Sequence, residues 1–262
     1  AMKSFRFYSL ITFIFFASLL ASCASKAESE PVVKNNLAAP PTEILAKTDE
    51  LFKQRADLSK LREAVNLLSQ NRNPDARNFE TEWKFAKYNY FLGRMTKDEK
   101  ESEKAFADGE KAGMLASRLE PNKPDGYFWY AANLGETAKR SPVTKGLTSI
   151  DDLQNAMKKV IEIDPKYQNA SAFDALAQIE LATTLTKGKP EKAVEYLEKG
   201  IEIEKDNSYL HLHLAEAFLT LNRKEDAKKQ LQILLQMKPN PDYLPEFQET
   251  TEQAKKLLET RF

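Results

Sequence analysis

Cysteine is almost absent from this chain, and so is histidine: Cys23 stands alone, and His211 and His213 are the only imidazoles. A single thiol excludes an internal disulfide and any metal site built from several thiolates. The two histidines fall two apart in SYLHLHLAE, so on a helix they point about 200° from each other and cannot share a metal as a pair four apart would. One is expected to pack and the other to be exposed. Glycine is scarce as well, eight in 262 residues. No G-x-S-x-G elbow, phosphate-cradling glycine loop or His-Glu-x-x-His stretch occurs. Neither charge is in excess, with 39 basic and 39 acidic residues. A nucleic-acid partner, which needs a cationic track, is therefore not expected. The conspicuous carboxylates (Glu99, Glu101, Glu103; Asp151, Asp152) fall at expected helix starts, where they complement the dipole. Neither catalysis nor a cofactor is expected.

What is present begins with Lys3 and Arg6, followed by the near-continuous apolar run FYSLITFIFFASLL (7–20). That run has the length of a signal-peptide core and is too short to cross a bilayer comfortably. Leu20-Ala21-Ser22-Cys23 then matches the bacterial lipobox: small residues suit the signal peptidase and the thiol accepts a diacylglycerol. Residues 1–22 are thus expected to be a lipoprotein signal peptide and Cys23 the lipidated residue. A diacyl plus N-acyl anchor exceeds the two membrane signals that stable attachment requires. Residues 23–41 are polar, proline-bearing and without period, and read as a tether reaching on the order of 20–25 Å. Ala24 and Ser25 follow the cysteine with no Asp at the second position. The expected location is the periplasmic side of a bacterial envelope, with the outer membrane favoured over the inner.

From residue 42 onward apolar residues recur at spacings of three and four, and the chain reads as all-α. Helices are expected at 42–55, 58–71, 75–93, 98–119, 125–139, 149–163, 168–186, 190–203, 207–221, 224–236 and 243–260. Ala193, Leu197 and Gly200 reappear 34 residues later as Ala227, Leu231 and Leu234. The same offsets hold for Leu153, Met157 and Val160 before Asp164-Pro165, and for Gly109, Gly113 and Ala116 before Glu120-Pro121. This is the second helix of a tetratricopeptide (TPR) repeat, with small residues where two helices cross and a turn residue closing the unit. Uneven spacing between the turns makes the repeats degenerate, with 140–150 as an inserted loop. The expected fold is a solenoid of stacked degenerate TPR-like helix pairs over 42–262, with 244–262 as a capping helix.

Two stretches carry more rings than one buried face needs. In YFWYAANLG (127–135), Tyr127, Tyr130, Ala131 and Leu134 are expected to pack within the helix pair, with Phe128, Ala132 and Gly135 on the concave side. Trp129 and Asn133 fall four apart on a third face. In ETEWKFAKYNYFLGR (80–94), Trp83, Phe85, Tyr88, Tyr90 and Phe91 again cover more than one face. The surplus rings either pack against an extra element, the 140–150 loop foremost, or line a cavity. Asn133 must find a partner, because an amide among rings is costly unpaired. It could hold a backbone carbonyl of the loop or meet a ligand. The candidate ligand-binding residues are Trp83, Tyr90, Phe128, Trp129 and Asn133.

The lipobox, WKFAKYNYFLG, EKAGMLASRLEP, GYFWYAANLG and the degenerate TPR units ending in EDAKKQL together resemble the T component family of tripartite ATP-independent periplasmic (TRAP) transporters, over about residues 40–240. The resemblance implies a periplasmic lipoprotein that binds or passes a small, apolar organic ligand beside a solute-binding P component. The other reading is a membrane-anchored TPR scaffold for envelope or secretion proteins, with Tyr209, Leu212 and Glu216 in its groove. Homo-oligomers are compatible with either.

Overall fold

The computed structural model describes residues 42–262; Cys23, the apolar run 7–20 and the expected tether lie outside the described residues. Eleven α-helices follow one another among the described residues: α1 Thr42–Lys53, α2 Leu58–Gln70, α3 Phe79–Met95, α4 Glu99–Leu119, α5 Pro124–Arg140, α6 Ile150–Ile163, α7 Tyr167–Ala182, α8 Pro190–Ile203, α9 Ser208–Thr220, α10 Lys224–Gln236 and α11 Leu244–Arg261. No strand occurs among these residues. Each helix packs chiefly on the next, so the elements form antiparallel pairs stacked in chain order. The fold is the expected all-α solenoid of TPR-like pairs.

Helix starts follow the sequence chemistry. Asn78 and Asp98 adopt extended backbone, and their side-chain oxygens accept from Thr81 N at the head of α3 and from Lys100 N and Glu101 N at the head of α4. These bonds satisfy amide groups that a helix leaves unpaired at its first turn. The asparagine cap places the start of α3 at 79 rather than 75. Pro124 and Pro190 open α5 and α8, where a missing N–H costs nothing. Residues 140–150 are not a plain loop, since Pro142–Gly146 forms one π-helical turn.

The repeat offsets mark buried positions. Ala193, Leu197, Ala227, Leu231 and Leu234 are wholly enclosed, as is Val160, while Leu153 and Met157 are buried. In α4 two of the three equivalent residues, Gly109 and Gly113, are glycines because the neighbouring helix leaves no room. A Cβ on Gly113 would lie 2.4 Å from the Tyr130 amide nitrogen, and one on Gly126 would lie 2.2 Å from that of Ser117. One apolar cluster joins α1–α7 and a second runs from α7 through α11, closing around Ala254 of the last helix.

Candidate functional site

The first helices of successive pairs (α3, α5, α7 and α9) line a common cavity of about 590 Å³ with α11 and the N-terminal half of α6. None of the lining comes from α1, α2, α4, α8 or α10. The hollow is therefore the inner side of the stack, where a TPR superhelix turns its concave face.

Its apolar wall is built by the surplus rings. Tyr90 and Phe91 from α3 and Phe128 and Trp129 from α5 all line it, alongside Leu153, Met157 and Ile179. Trp129 is the hub: its ring centroid lies 5.0 Å from Phe128, 5.7 Å from Tyr90 and 6.1 Å from Phe91, all tilted or edge-on. Such arrangements suit the ring quadrupoles better than face-to-face stacking. The indole N–H donates to the Tyr167 hydroxyl at 3.2 Å, and that hydroxyl donates to Asp125 at 2.8 Å. The chain Trp129–Tyr167–Asp125 fixes the indole and satisfies its only polar atom. Behind it, Lys87 Nζ sits 4.8 Å from the Phe52 ring and 5.5 Å from that of Trp129. Burial, helped by the nearby Arg55 charge, lowers its pKa to about 8.

The sequence-predicted residues divide. Tyr90, Phe128 and Trp129 come together at the cavity, with Ala132 and Gly135 beside them. Trp83 does not join them; it lines a separate, open hollow with Ala46, Asp49, Phe52 and Lys87, on the side of α3 that meets α1. Asn133 is also elsewhere, fully enclosed against α4. Its amide donates to the carbonyl of Ala86 at 3.1 Å and of Trp129 at 2.6 Å. It thus holds a carbonyl of α3, not of the 140–150 segment, and meets no ligand space. Tyr127 and Tyr130, expected as core, are only half-buried, whereas Phe128 and Trp129 are buried. The reason is the close α4–α5 crossing, which turns the tyrosine positions toward its margins. Leu212, expected in the groove, is wholly in the core.

The opposite wall is polar. His213 bonds Asp174 at 2.6 Å and stacks on Tyr209, whose hydroxyl donates to Glu249 at 2.7 Å. Burial opposes the charged imidazolium, but the charge and hydrogen bond of Asp174 outweigh it and the His213 pKa lies above its ordinary value. Burial likewise raises Glu216 nearby. Neither histidine is exposed, since His211 is buried between Gln230 and the Lys205 carbonyl. No group of residues suited to a metal ion occurs among the described residues. Gln178 lines the cavity with a buried amide nitrogen that has no hydrogen-bond partner. Gln168 and Asn169, also in the lining, hold left-handed backbone with φ of 49° and 55°, a conformation costly for side-chain-bearing residues.

Two bridges beside the cavity tie α11 and the turn before it to the region of α1 and α3. Arg94 of α3 donates to both oxygens of Glu249 of α11 at 3.0 and 3.1 Å. Arg55, just after α1, donates to the Asp242 carbonyl at 2.8 Å and to Glu246 at 3.2 Å. These contacts join residues 155 and 191 apart in sequence, beyond the reach of any local pattern.

The fold and this concave site define a helical-repeat protein of TPR type. A tetratricopeptide repeat family matches residues 184–244, and the family described as regulator of microtubule dynamics protein 1-3 matches residues 44–173. Among solved structures the chain is similar to TTC0263, a thermophilic TPR protein of Thermus thermophilus, at 17% identity and TM-score 0.60, covering 83% of this chain and 98% of that one. It is also similar to pilF of Pseudomonas aeruginosa at 14% identity and TM-score 0.51, covering 84% and 93% respectively. No curated protein matches. These likenesses establish the solenoid and stop there.

Proposed function

We propose that this protein is a TPR-type binding protein that encloses a small, largely apolar organic ligand in its concave cavity. On this reading it is tethered through Cys23 on the periplasmic side of the envelope and acts as the accessory partner of a TRAP-type solute-binding protein. The observation that carries the ligand is the cavity of about 590 Å³ walled by Tyr90, Phe91, Phe128 and Trp129. Ligand sites are concave and mostly apolar, with a few polar groups that set orientation. Here the His213–Asp174 pair and Gln178 are placed to do that. The transport setting rests on the sequence resemblance and the lipobox.

A peptide-holding scaffold is the second reading, and it suits a TPR-type fold. The face such a peptide would need is occupied by α11, which Glu249 ties to both Arg94 and Tyr209.

The test is native mass spectrometry of the chain isolated from its host envelope, beside Ala132→Phe and Ala175→Phe, which place a ring in the hollow from α5 or α7. The wild type is expected to carry a bound small molecule that both variants lose while staying folded. A wild type without adduct, or variants that retain it, would rule the cavity out as the site. In-cell crosslinking is expected to recover a solute-binding protein; recovery of outer-membrane or secretion subunits instead would favour the scaffold.

A further inference from the structure

We infer that one edge of the solenoid, formed by the segments 139–147 and 183–189, docks on an anionic bilayer surface. This stands apart from the ligand proposal and needs no ligand for its test. α6 and α7 are antiparallel neighbours, so the segment entering α6 and the segment leaving α7 lie at the same edge. Both border one hollow, since Pro142, Gly146 and Leu147 line it together with Ala182 and Thr183.

The two segments share a composition that departs from the charge balance of the whole chain. From Thr137 to Ile150 and from Leu181 to Pro190 there is no acidic residue, yet Lys139, Arg140, Lys145, Lys187 and Lys189 are all present. Each of these five is exposed. Lys139 and Arg140 share Glu136, and Lys145 lies 3.6 Å from Glu110. The Lys187 and Lys189 ammonium groups form no ion pair among the described residues; the nearby Glu180 carboxylate accepts from the Lys189 backbone amide at 3.0 Å and pairs with Lys192. The same segments carry the three most exposed large aliphatic side chains among the described residues: Leu185 at 100%, Val143 at 80% and Leu147 at 57%.

The backbone presents these residues rather than letting them fold inward. The Thr183 carbonyl accepts from the amides of Thr186, Lys187 and Gly188 at 2.9, 3.0 and 2.9 Å, which holds Leu185 at the tip of a tight turn. Glycine is required at 188, where a Cβ would come within 1.9 Å of the Glu180 carbonyl oxygen. The π-helical turn Pro142–Gly146 projects Val143 in the same way.

Aliphatic tips among lysines match the layered chemistry of a membrane surface. The apolar groups enter the acyl boundary and the ammonium groups meet anionic headgroups. A protein partner would be served differently, because its interfaces favour aromatic residues and arginine and are depleted in lysine.

The test places an indole at the turn, Leu185→Trp in the full chain. That side chain touches no core, and the wild type, whose tryptophans lie elsewhere, is the control. Vesicles of phosphatidylcholine mixed with brominated phosphatidylglycerol are expected to blue-shift and quench the new indole, and vesicles of phosphatidylcholine alone to leave it unchanged. Replacing Lys187 and Lys189 by Gln is expected to weaken the quenching-detected partition about 25-fold, since each lysine contributes roughly a five-fold factor near such a surface. Lys166→Trp, at the opposite edge, is expected to stay unquenched. The inference fails if the chain sediments with anionic vesicles while the indole at 185 is untouched, which would place attachment in residues 1–41 alone. It fails equally if both edges are quenched alike, or if the shift appears without vesicles and grows with protein concentration, the mark of a second copy on this edge.

Discussion

Gly109→Ala should destabilise this protein even though alanine is the better helix former and the residue usual at that repeat position. An added Cβ would lie 2.2 Å from Asn133 Oδ1 and 2.5 Å from its Cγ. Asn133 cannot swing aside freely, because it is fully enclosed and its amide bonds the carbonyl of Ala86 across to α3. Helix propensity returns about 1 kcal/mol. Against that stand overpacking, roughly 1–3 kcal/mol, and loss of the Asn133 hydrogen bond, roughly 1–2 kcal/mol. The expected net loss is about 2 kcal/mol. Asn133→Ala alone should cost about 1 kcal/mol, since it forfeits the bond to Ala86 while also removing a buried oxygen that has no partner. In the double variant the alanine at 109 meets a small side chain, so its clash disappears. The double variant should therefore be more stable than the sum of the single effects predicts, by at least about 1 kcal/mol. Urea unfolding of the four proteins reads this directly, with the midpoint shift at constant slope giving each term. Additive effects, or a Gly109→Ala chain more stable than wild type, would refute the claim that the glycine exists to seat Asn133.

Other expectations follow from the polar wall. Glu246→Gln with Glu249→Gln removes the anionic side of both bridges, and amide exchange over 244–261 should accelerate while α11 stays helical through Thr250–Ser208 and Ala254. Each bridge contributes about 1 kcal/mol or less in its partly exposed setting, so unchanged exchange would mean that apolar packing alone holds the helix. His213 is flanked by Asp174, Glu216, Tyr209 and the more distant Lys139, and its folded pKa is raised. Its contribution is present below the unfolded value of about 6.5 and lost as pH rises through the folded value. Unfolding midpoints should therefore fall as pH rises above about 6.5, and Asp174→Asn should flatten that dependence; an equal slope in the variant would assign it to other groups.

The helix pairs were legible because each depends on local pattern: apolar residues recurring at three and four, and small residues at a fixed offset where helices cross. The ring surplus was legible too, since a helix has only one face to bury. Its partition was not. Phe128 and Trp129 reach the cavity, and Asn133 turns to α4, because Gly109 and Gly113 let α4 and α5 approach so closely; that geometry is a property of two helices, not of one. Trp83 parts from Tyr90 for a similar reason, with α1 covering the other side of α3. The Arg94–Glu249 and Arg55–Glu246 bridges left no trace in the sequence, where they are scattered charges on exposed-looking faces. His213 was conspicuous, but its partner Asp174 sits 39 residues away on another helix.

The central claim is that the rings of α3 and α5 border a hollow open to ligands. In a Trp83→Phe background Trp129 is the only indole, and titration with a hydrophobic naphthalene dye should quench its emission with a saturable curve of one dye per chain. Ala132→Phe and Ala175→Phe should each abolish that saturation without lowering the unfolding midpoint. A linear, unsaturable response, or one that persists when the hollow is filled, would contradict the account.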